Sequence, residues 1–472
     1  MAPMRVAVAV AVLAAACSFD RGGVAYDGDG RVSDGPVPIV DGGDAGDGPV
    51  CEPRCDGDTL ITCQGATPTE TPCPLGCAGD GAGAHCRQIV PSNDARVDDL
   101  NMVTGGLSVP AGATYSVDSD RGSITDLASQ TAIRGPIPGF DSATHTAFRI
   151  ISPTVSVLAI DGLEVAATGR LRIAGGTQRA LILLVAGAVH VNGTIDASAG
   201  CLLDGAVTQR CRGAGGGHGA NAATGVPGAG CAFGGNGRGF AGGGDKFAET
   251  GGGGGGLGGS GAAGGDGPGT DPNAGGGGGA VDADCPGPDL VPLLGGSGGG
   301  GGGVGLGDFG GGDGGGGGGA IQITSLSEID VSGSALVIAA GGGGLGPDTA
   351  RAAGGGGGSG GGILLEAPRV TVEGVVAANG GGGGSGTRVR VDGKAGLPSS
   401  EQAPGGAGAG IDESIGRGGK GGARSGPPTA GGAAQGGGGG GAGVGIIRVN
   451  GDEIDLGDDM SPIPTQGPLV KR

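Results

Sequence analysis

The sequence lacks tryptophan and has few aromatic residues of any kind. Among its 472 residues there are no Trp, two Tyr and seven Phe. A large globular core normally takes much of its bulk from aromatic side chains. The apolar residues here are mostly Ala, Val, Leu and Ile, which suit thin layers of β-strand. The scarcity of aromatics therefore argues against a compact enzyme domain.

Basic residues are also few relative to acidic ones. The chain carries 27 Lys and Arg against 46 Asp and Glu, a formal net charge of −19. Phosphate-rich partners are bound by basic surfaces. This charge balance argues against nucleic acid and anionic lipid as partners, and it favours solubility.

The first residues have the pattern of an export signal. Arg5 precedes an apolar run from Val6 to Ala16, a charge pattern typical of signal peptides. The run is too short to span a bilayer as a helix. The segment Leu13-Ala-Ala-Ala-Cys17 resembles a bacterial lipobox. That resemblance implies that Cys17 is lipidated and, with Ser18 after it, that the protein is anchored in the outer membrane. The alternative is an ordinary signal peptide cut after Ala16.

Residues 18–50 have the composition of a tether. They hold seven Asp, two Arg and few residues that could pack, which is typical of a solvated linker. The spacing of Asp27 and Asp29 could also suit a calcium loop. However, Arg31 stands where such a loop needs Asp or Asn, so a linker is the prediction.

Cysteine is abundant for an exported chain. Ten of the eleven remain after Cys17, an even number in a setting where disulfides persist. Six lie close together and predict a three-disulfide module, whose fifteen possible pairings the sequence leaves open. The C-x-x-C pairs of a zinc site are missing, and the other four cysteines predict two bridges across long loops. The predicted disulfide cysteines are Cys51, Cys55, Cys63, Cys73, Cys77, Cys86, Cys201, Cys211, Cys231 and Cys285.

Glycine fills 128 positions and comes in runs separated by short β-branched segments. The segments follow a repeat of strand, glycine turn, strand and glycine exit, and a third apolar stretch lies upstream of most copies. Fixed strands joined by loops of variable length are typical of stacked solenoids. The turn glycines of four copies are Gly169, Gly193, Gly333 and Gly374, and a degenerate last copy runs from Val449 to Leu456.

With these repeats the chain resembles right-handed parallel β-helix proteins. More narrowly, it resembles the glycine-rich, Cys-module-bearing surface lipoproteins of myxobacteria, over residues 51–457. The resemblance implies an all-β fold, a parallel β-helix or solenoid with long glycine-rich loops; a decorated β-sandwich is the competing architecture. The predicted divisions are 1–16 lipoprotein signal peptide, 17–50 tether, 51–88 six-Cys disulfide module, 89–200 N-terminal part of the solenoid, 201–319 glycine-rich insert, 320–457 C-terminal part of the solenoid and 458–472 tail.

The glycine runs themselves allow two structures. Their composition alone is compatible with disordered loops. Alternatively, they pack as polyglycine II, in which extended left-handed helices with three residues per turn bond to their neighbours. The sequence does not decide between the two.

Motifs of polysaccharide-degrading β-helix enzymes are incomplete in this chain. Gly217-His218-Gly219 matches the G-H-G of polygalacturonase-like hydrolases, but the acidic pairs Asp98-Asp99 and Asp458-Asp459 are far from it in sequence. Acid–base cleavage of a glycosidic bond needs two carboxyl groups that converge on it, and this motif lacks such a pair. We therefore expect no catalytic residue.

Single charged residues beside the strands have a simpler interpretation. Asp196, Asp330 and Glu373 flank turn glycines, and alternation predicts them as outward-facing, solvated positions. His190 alternates with two valines and is predicted on a strand surface. The four His residues have no metal-ligand spacing, so neither a metal nor a cofactor is expected.

These observations favour a surface-anchored structural or adhesive lipoprotein of the bacterial envelope that is not an enzyme. Its expected partners are the membrane, through the lipid anchor, and an extracellular polymer or a neighbouring cell surface, but no nucleic acid. The protein would face the periplasm or the outside. The alternative is an envelope or secreted carbohydrate-active β-helix enzyme, similar to polysaccharide lyases or hydrolases.

Overall fold

The computed structural model describes the chain from Cys51 onward, with gaps. The predicted signal peptide, Cys17 and the whole of the predicted tether lie outside the described residues, and so do the side chains of residues 201–209. The described residues are 51–472 except 66, 74, 204–205, 209, 225, 233, 235–249, 268–274, 282, 284, 304–309, 349–351, 387–389, 409–415 and 435.

The first described segment, up to residue 88, consists of small antiparallel sheets held by disulfides. Apart from the cysteines, its buried apolar residue is Ile61, so cross-links take the place of a core. A 3₁₀ helix, Gly81–Gly83, lies between the last two strands. The sheets are β1 (Arg54–Asp56), β2 (Thr59–Gln64) and β3 (Thr67–Pro72), then β4 (Cys77–Ala78) with β5 (His85–Cys86).

The next strands begin the main body of the protein. A second 3₁₀ helix, Val97–Leu100, precedes them. Strands β7 to β9 form an antiparallel meander, and β10 pairs antiparallel with β11. Their bounds are β6 (Leu107–Val109), β7 (Thr114–Val117), β8 (Ile124–Asp126), β9 (Thr131–Arg134), β10 (Gly139–Asp141) and β11 (Thr146–Ile150).

From residue 155 the chain makes five passes, and each pass places one strand in each of three sheets. The first pass is β12 (Val155–Ile160), β13 (Leu163–Val165) and β14 (Arg170–Ile173), and the second is β15 (Ala180–Val185), β16 (Val189–Val191) and β17 (Thr194–Asp196). After the hairpin of β18 (Cys201–Leu203) and β19 (Ala206–Thr208), the third is β20 (Ala320–Ser325), β21 (Glu328–Val331) and β22 (Leu336–Ile338). The fourth is β23 (Gly362–Glu366), β24 (Arg369–Val372) and β25 (Val375–Ala377). The fifth is β26 (Ile446–Asn450), β27 (Glu453–Leu456) and β28 (Met460–Ser461), followed by β29 (Thr465–Gly467).

Equivalent strands of successive passes pair in parallel. The first sheet has the order β10-β11-β12-β15-β20-β23-β26-β29, the second β27-β24-β21-β16-β13-β6, and the third β28-β25-β22-β17-β14-β7-β8-β9. In register, Leu183 lies beside Ile323 and Ile323 beside Leu365. Such rows of identical or similar apolar side chains explain why the repeat is β-branched and leucine-rich.

The core lies between the inner faces of the three sheets. One buried cluster takes residues from all of them, for example Leu183, Val191 and Ile195. The first sheet differs from the others because both of its faces are buried in β12, β15 and β20. Its outer face packs under residues such as Ala95 and Leu293. Continuous apolar runs, as in residues 181–185, are expected of strands covered on both sides.

All long glycine-rich segments lie in the same type of connection. They leave the third sheet and return to the first sheet, between β17 and β20, between β22 and β23, and between β25 and β26. The equivalent connection between β14 and β15 is short. Because the passes stack in register, the three inserts lie beside one another and can bond together.

The described glycine runs are packed, with three-residue periodicity. In residues 354–361 each backbone N–H donates to a carbonyl of another run at 2.7–3.1 Å. Successive residues donate in turn to three different runs, so every third residue donates to the same one. Gly354, Gly357 and Gly360 donate to Gly437, Gly440 and Gly443; Gly355, Gly358 and Gly361 donate to Leu345, Gly342 and Ala339; Gly356 and Ser359 donate to Gly300 and Ser297. A helix with three residues per turn directs its N–H groups this way. The runs form a polyglycine II bundle, so the packed alternative is the one observed.

Glycine is required in the bundle because a side chain would not fit. A Cβ on Gly356 would lie 2.1 Å from the carbonyl oxygen of Gly253, and one on Gly357 would lie 2.1 Å from that of Gly381. Neither residue has a φ in the left-handed region. Close approach of backbones, rather than conformational freedom, therefore selects glycine here.

Gly333 lies in the turn between β21 and β22, as predicted. It is not the confined residue of that turn: a Cβ there would be 4.0 Å from its nearest atom, a Glu373 oxygen, whereas one on Gly374 would meet Ser332 O at 2.3 Å. Ala335 takes the stacked position instead and accepts a hydrogen bond from the Val375 N–H at 3.0 Å, because this turn is two residues longer than that after β16. Residues 458–472, predicted as a tail, contribute β28 and β29.

Candidate functional site

Disulfides are present in both regions where the cysteine count predicts them. Cys55 bonds to Cys77 and Cys73 to Cys86. In the glycine-rich insert, Cys231 bonds to Cys285. Cys51, Cys63 and Cys211 are also disulfide-bonded, while the side chain of Cys201 lies outside the described atoms. Cys55–Cys77 joins β1 to β4, Cys73–Cys86 joins the segment after β3 to β5, and Cys231–Cys285 joins two loop positions of the insert.

The glycine-flanked histidine is part of the bundle surface. The backbones of Gly217 and Gly219 are buried, and a Cβ on either would approach a carbonyl oxygen to 1.9 Å. The His218 side chain is exposed, with a ring nitrogen 3.2 Å from Gly219 O. Packing accounts for both glycines, so the match to a hydrolase motif needs no catalytic explanation.

The outer face of the second sheet carries a row of polar side chains. Register places Glu164, His190, Asp330, Thr371 and Asp455 side by side on successive strands. His190 is exposed, as predicted, and its ring nitrogens lie 3.9 Å from Asp330 and 4.0 Å from Glu328. These are exposed pairs at long distance, which contribute little to stability.

One of the three predicted solvated carboxylates is instead buried. Asp330 and Glu373 reach solvent, but Asp196 is only 6% exposed. Arg170 of the preceding pass donates to its carboxylate, and the Ser198 N–H donates to it at 2.9 Å. Alternation alone could not reveal this, because the arginine comes from a neighbouring strand.

The described residues form an apolar groove on the outer face of the first sheet. Its volume is about 290 Å³, and its walls are formed by Pro138, Ala147, Ile150, Val157 and Ala159 together with Gly139, Phe148, Asp99 and Arg149. Ala147 lies directly opposite Ala159, and two such small side chains leave the surface hollow. A groove of this size is at the lower end of the range for small-ligand sites.

A carboxylate–guanidinium pair borders this groove. Arg149 donates to Asp99 through Nε at 2.8 Å and through Nη2 at 2.6 Å, a bidentate geometry that is stronger than a single bond. Both charges are thereby satisfied within the protein. The groove can accept an apolar group, but its ion pair has no free charge to offer a substrate.

Beneath the groove, a buried arginine closes the end of the core. Arg134 is 1% exposed, and it donates to Thr146 Oγ1 and to the carbonyls of Gly122, Gly135, Ile137 and Gly139 at 2.7–3.2 Å. Burial lowers the pKa of its guanidinium from the ordinary value, while Asp141 opposes that effect. These bonds are internal, so Arg134 holds the loop between β9 and β10 in place rather than a ligand.

Neither the groove nor the burial of Arg134 is predictable from the sequence. The groove depends on Ala147 meeting Ala159 across an antiparallel pair, and alanine carries no local signal of such a contact. Arg134 looks like any charged residue in a polar loop. The burial of Arg134 can be recognised only in the folded structure, where the carbonyls that surround its guanidinium are in place.

In the described part of the chain, no group of three or more His, Cys, Asp and Glu residues is placed to hold a metal ion. No helix among the same residues combines the length and apolarity needed to cross a membrane. Comparisons with protein-family models, curated proteins and solved structures found no match to this chain.

Proposed function

We propose that this chain is a structural or adhesive lipoprotein anchored at the surface of the bacterial envelope, and that it is not an enzyme. Its three parallel sheets are then the faces of a right-handed parallel β-solenoid, the hand that crossover connections between parallel strands nearly always take. The anchor is the lipid on Cys17, and residues 18–50 are the tether.

The observation that carries this proposal is the glycine bundle. In the described parts of the three inserts, glycine backbones bond to one another. Ordering glycine costs more backbone entropy than ordering any other residue. The ordering of so many glycines, with no reactive site among the residues that the structure describes, fits a protein whose task is mechanical or adhesive.

The loops at the ends of the glycine runs are the proposed contact surface. One example is the exposed loop at residues 397–402, which buried Asn379 holds by donating to Leu397 O at 2.7 Å and Ser399 O at 2.6 Å. Loops fixed on a rigid scaffold are common binding elements. A polymer or a neighbouring cell surface is the expected partner.

The proposed lipid anchor is tested by membrane fractionation of bacteria that express the full chain. Cys17→Ser should move the protein from the membrane to the soluble fraction and abolish labelling by a palmitate analogue. Ser18→Ala, the adjacent control, should keep the protein in the membrane. Membrane association of Cys17→Ser would disprove the lipid anchor.

The enzyme alternative is tested separately on acidic polysaccharides. The purified protein should release neither reducing ends nor unsaturated sugars above the level of heat-denatured protein. Sustained turnover that follows protein concentration would overturn the non-catalytic assignment, whatever the fractionation shows.

A further inference from the structure

Residues 88–100, hereafter the strap, cross the outer face of the first sheet from one end to the other. At one end Gln88 and Arg472 exchange backbone bonds of 2.9 and 3.0 Å, and the Val90 N–H donates to Val470 O at 2.8 Å. At the other end Asp99 holds Arg149 of β11. The strap therefore joins the last residues of the chain to an antiparallel strand that precedes the five passes.

Between its ends the strap contacts the intervening strands in order. Ser92 bonds to Glu366 of β23, and Asn93 donates to Gln322 of β20 at 3.0 Å. Ala95 is buried against the apolar side chains of β12 and β15, and the 3₁₀ helix Val97–Leu100 packs on the same strands. Asn93 also bonds to Leu290 and Leu293 of the glycine-rich insert.

Glu366 is the centre of these contacts. It is 3% exposed, and its carboxylate accepts bonds from Ser92 Oγ at 2.6 Å, Ser92 N at 3.2 Å, Gln322 Nε2 at 2.8 Å, Thr324 Oγ1 at 3.0 Å and Asn450 Nδ2 at 3.0 Å. All of these donors are neutral. They come from the strap, from β20 and from β26, so the Glu366 side chain connects these three segments to its own strand, β23.

We propose that the strap is a mechanical latch, fastened by Glu366, that transfers tension from the disulfide-rich segment into the first sheet and the glycine bundle. This inference rests on the proposed anchoring at the N-terminal side, because an anchored chain receives tension there. The disulfides Cys55–Cys77 and Cys73–Cys86 limit extension before residue 88. The strap is the next segment to bear the load, and its contacts distribute that load over several strands.

Single-molecule pulling on the full chain tests the latch without any membrane. One handle is attached at the N-terminus and the other at a peptide tag inserted between exposed Ser400 and Glu401. The wild type should show a first rupture that lengthens the chain by at most about 45 Å, the extended length of the strap. In Glu366→Gln an NH2 group replaces one carboxylate oxygen, and in either orientation it faces at least one N–H donor, from Ser92 and Gln322 or from Asn450. An N–H group cannot accept a bond, so the same rupture should occur at lower force.

Glu373→Gln is the matched control, since it makes the same change at an exposed position of the same pass. It should rupture at the wild-type force. Trypsin gives a second measurement: cleavage after Arg87 and Arg96 should be about tenfold faster in Glu366→Gln, the effect of one lost buried hydrogen bond. Should Glu366→Gln fail to fold, Ser92→Ala serves the same purpose with a smaller change.

The latch is overturned if Glu366→Gln and Ser92→Ala rupture at the wild-type force, or if the first rupture does not release residues 88–100. It is also overturned if Glu373→Gln is weakened as much as Glu366→Gln. These outcomes are independent of the fractionation result, because a latch can fail in a lipidated protein and succeed in one that is not.

Discussion

Individual glycines in the bundle differ in how much room their neighbours leave. A Cβ at Gly356 would meet the backbone of Gly253 at 2.1 Å, whereas one at Gly277 would meet nothing within 4 Å. Both residues belong to glycine runs, so sequence alone treats them as equal. We predict that Gly356→Ala lowers the free energy of unfolding by about 3 kcal/mol, the upper end of the typical cost of overpacking, because the obstructing atoms belong to a backbone and not to a movable side chain.

Gly277→Ala provides the comparison for this substitution. It should leave stability unchanged or raise it slightly, because alanine restricts the unfolded chain and meets no obstacle in the folded one. Denaturant unfolding followed by circular dichroism measures both variants. Equal midpoints for the two would contradict the bundle packing.

Asp141 gives a prediction about pH. The Ala143 N–H, helped by Thr144 and Arg134 and opposed by burial, holds the pKa of Asp141 below its ordinary value of 3.8. A carboxyl whose folded pKa is lowered stabilises the fold above pH 3.8, and this stabilisation is lost as the pH falls through the folded value. Asp141→Asn should therefore be less stable than wild type at pH 7. The two unfolding free energies should converge below pH 3.8, and parallel curves across that range would contradict this role.

At the scale of elements, the bridge between Cys231 and Cys285 connects two parts of the longest insert. Cys231 also packs against an apolar cluster that includes Leu257, Leu290 and Leu364. The closed loop spans 54 residues, for which the loop-entropy relation gives about 4 kcal/mol. Replacing both cysteines by alanine should destabilise the protein by up to that amount, as measured by guanidinium unfolding under non-reducing conditions.

The loss of stability in the double variant of Cys231 and Cys285 has two causes, the missing bridge and the missing side-chain packing, and a reference is needed to separate them. Reduction breaks the other bridges as well, so the reference is a comparison of wild type and variant after both are fully reduced. Reduced wild type keeps both side chains but lacks the bond, so the two reduced proteins should differ only by the loss of packing. An equal difference between the two proteins before and after reduction, with complete thiol titration as proof, would show that the bridge does not restrain this insert.

Strands were more predictable than turns or side-chain surroundings. Residues 181–185 are continuously apolar, and the observed strand is Ala180–Val185; both its faces are buried, so local composition carries the information. Gly333 lies in the predicted turn, but Ala335 holds the position that stacks on the next pass, because stacking between passes decides which residue is confined. The pairing of Ala147 with Ala159 and the burial of Asp196 depend likewise on residues distant in sequence.

At the scale of the molecule, composition predicted the all-β class but left the glycine runs undecided. A single run cannot show whether it is ordered, since one polyglycine helix has no internal hydrogen bonds. Order arises only when the inserts of different passes lie side by side. The stacking of the sheets supplies that arrangement, so the bundle and the sheets should be one cooperative unit.

Hydrogen exchange of the whole protein tests this cooperativity. The amides of residues 354–361 donate to runs from three different parts of the chain, so none of them can open without disrupting its neighbours. We predict that they exchange only through global unfolding, at the same free energy as amides of β15 and β20. Exposed loop positions such as Val281 and Ser400 should exchange much faster. Exchange of residues 251–265 and 354–361 at the rate of an unstructured peptide would rule out the packed bundle and, with it, the rigid scaffold on which the proposed function depends.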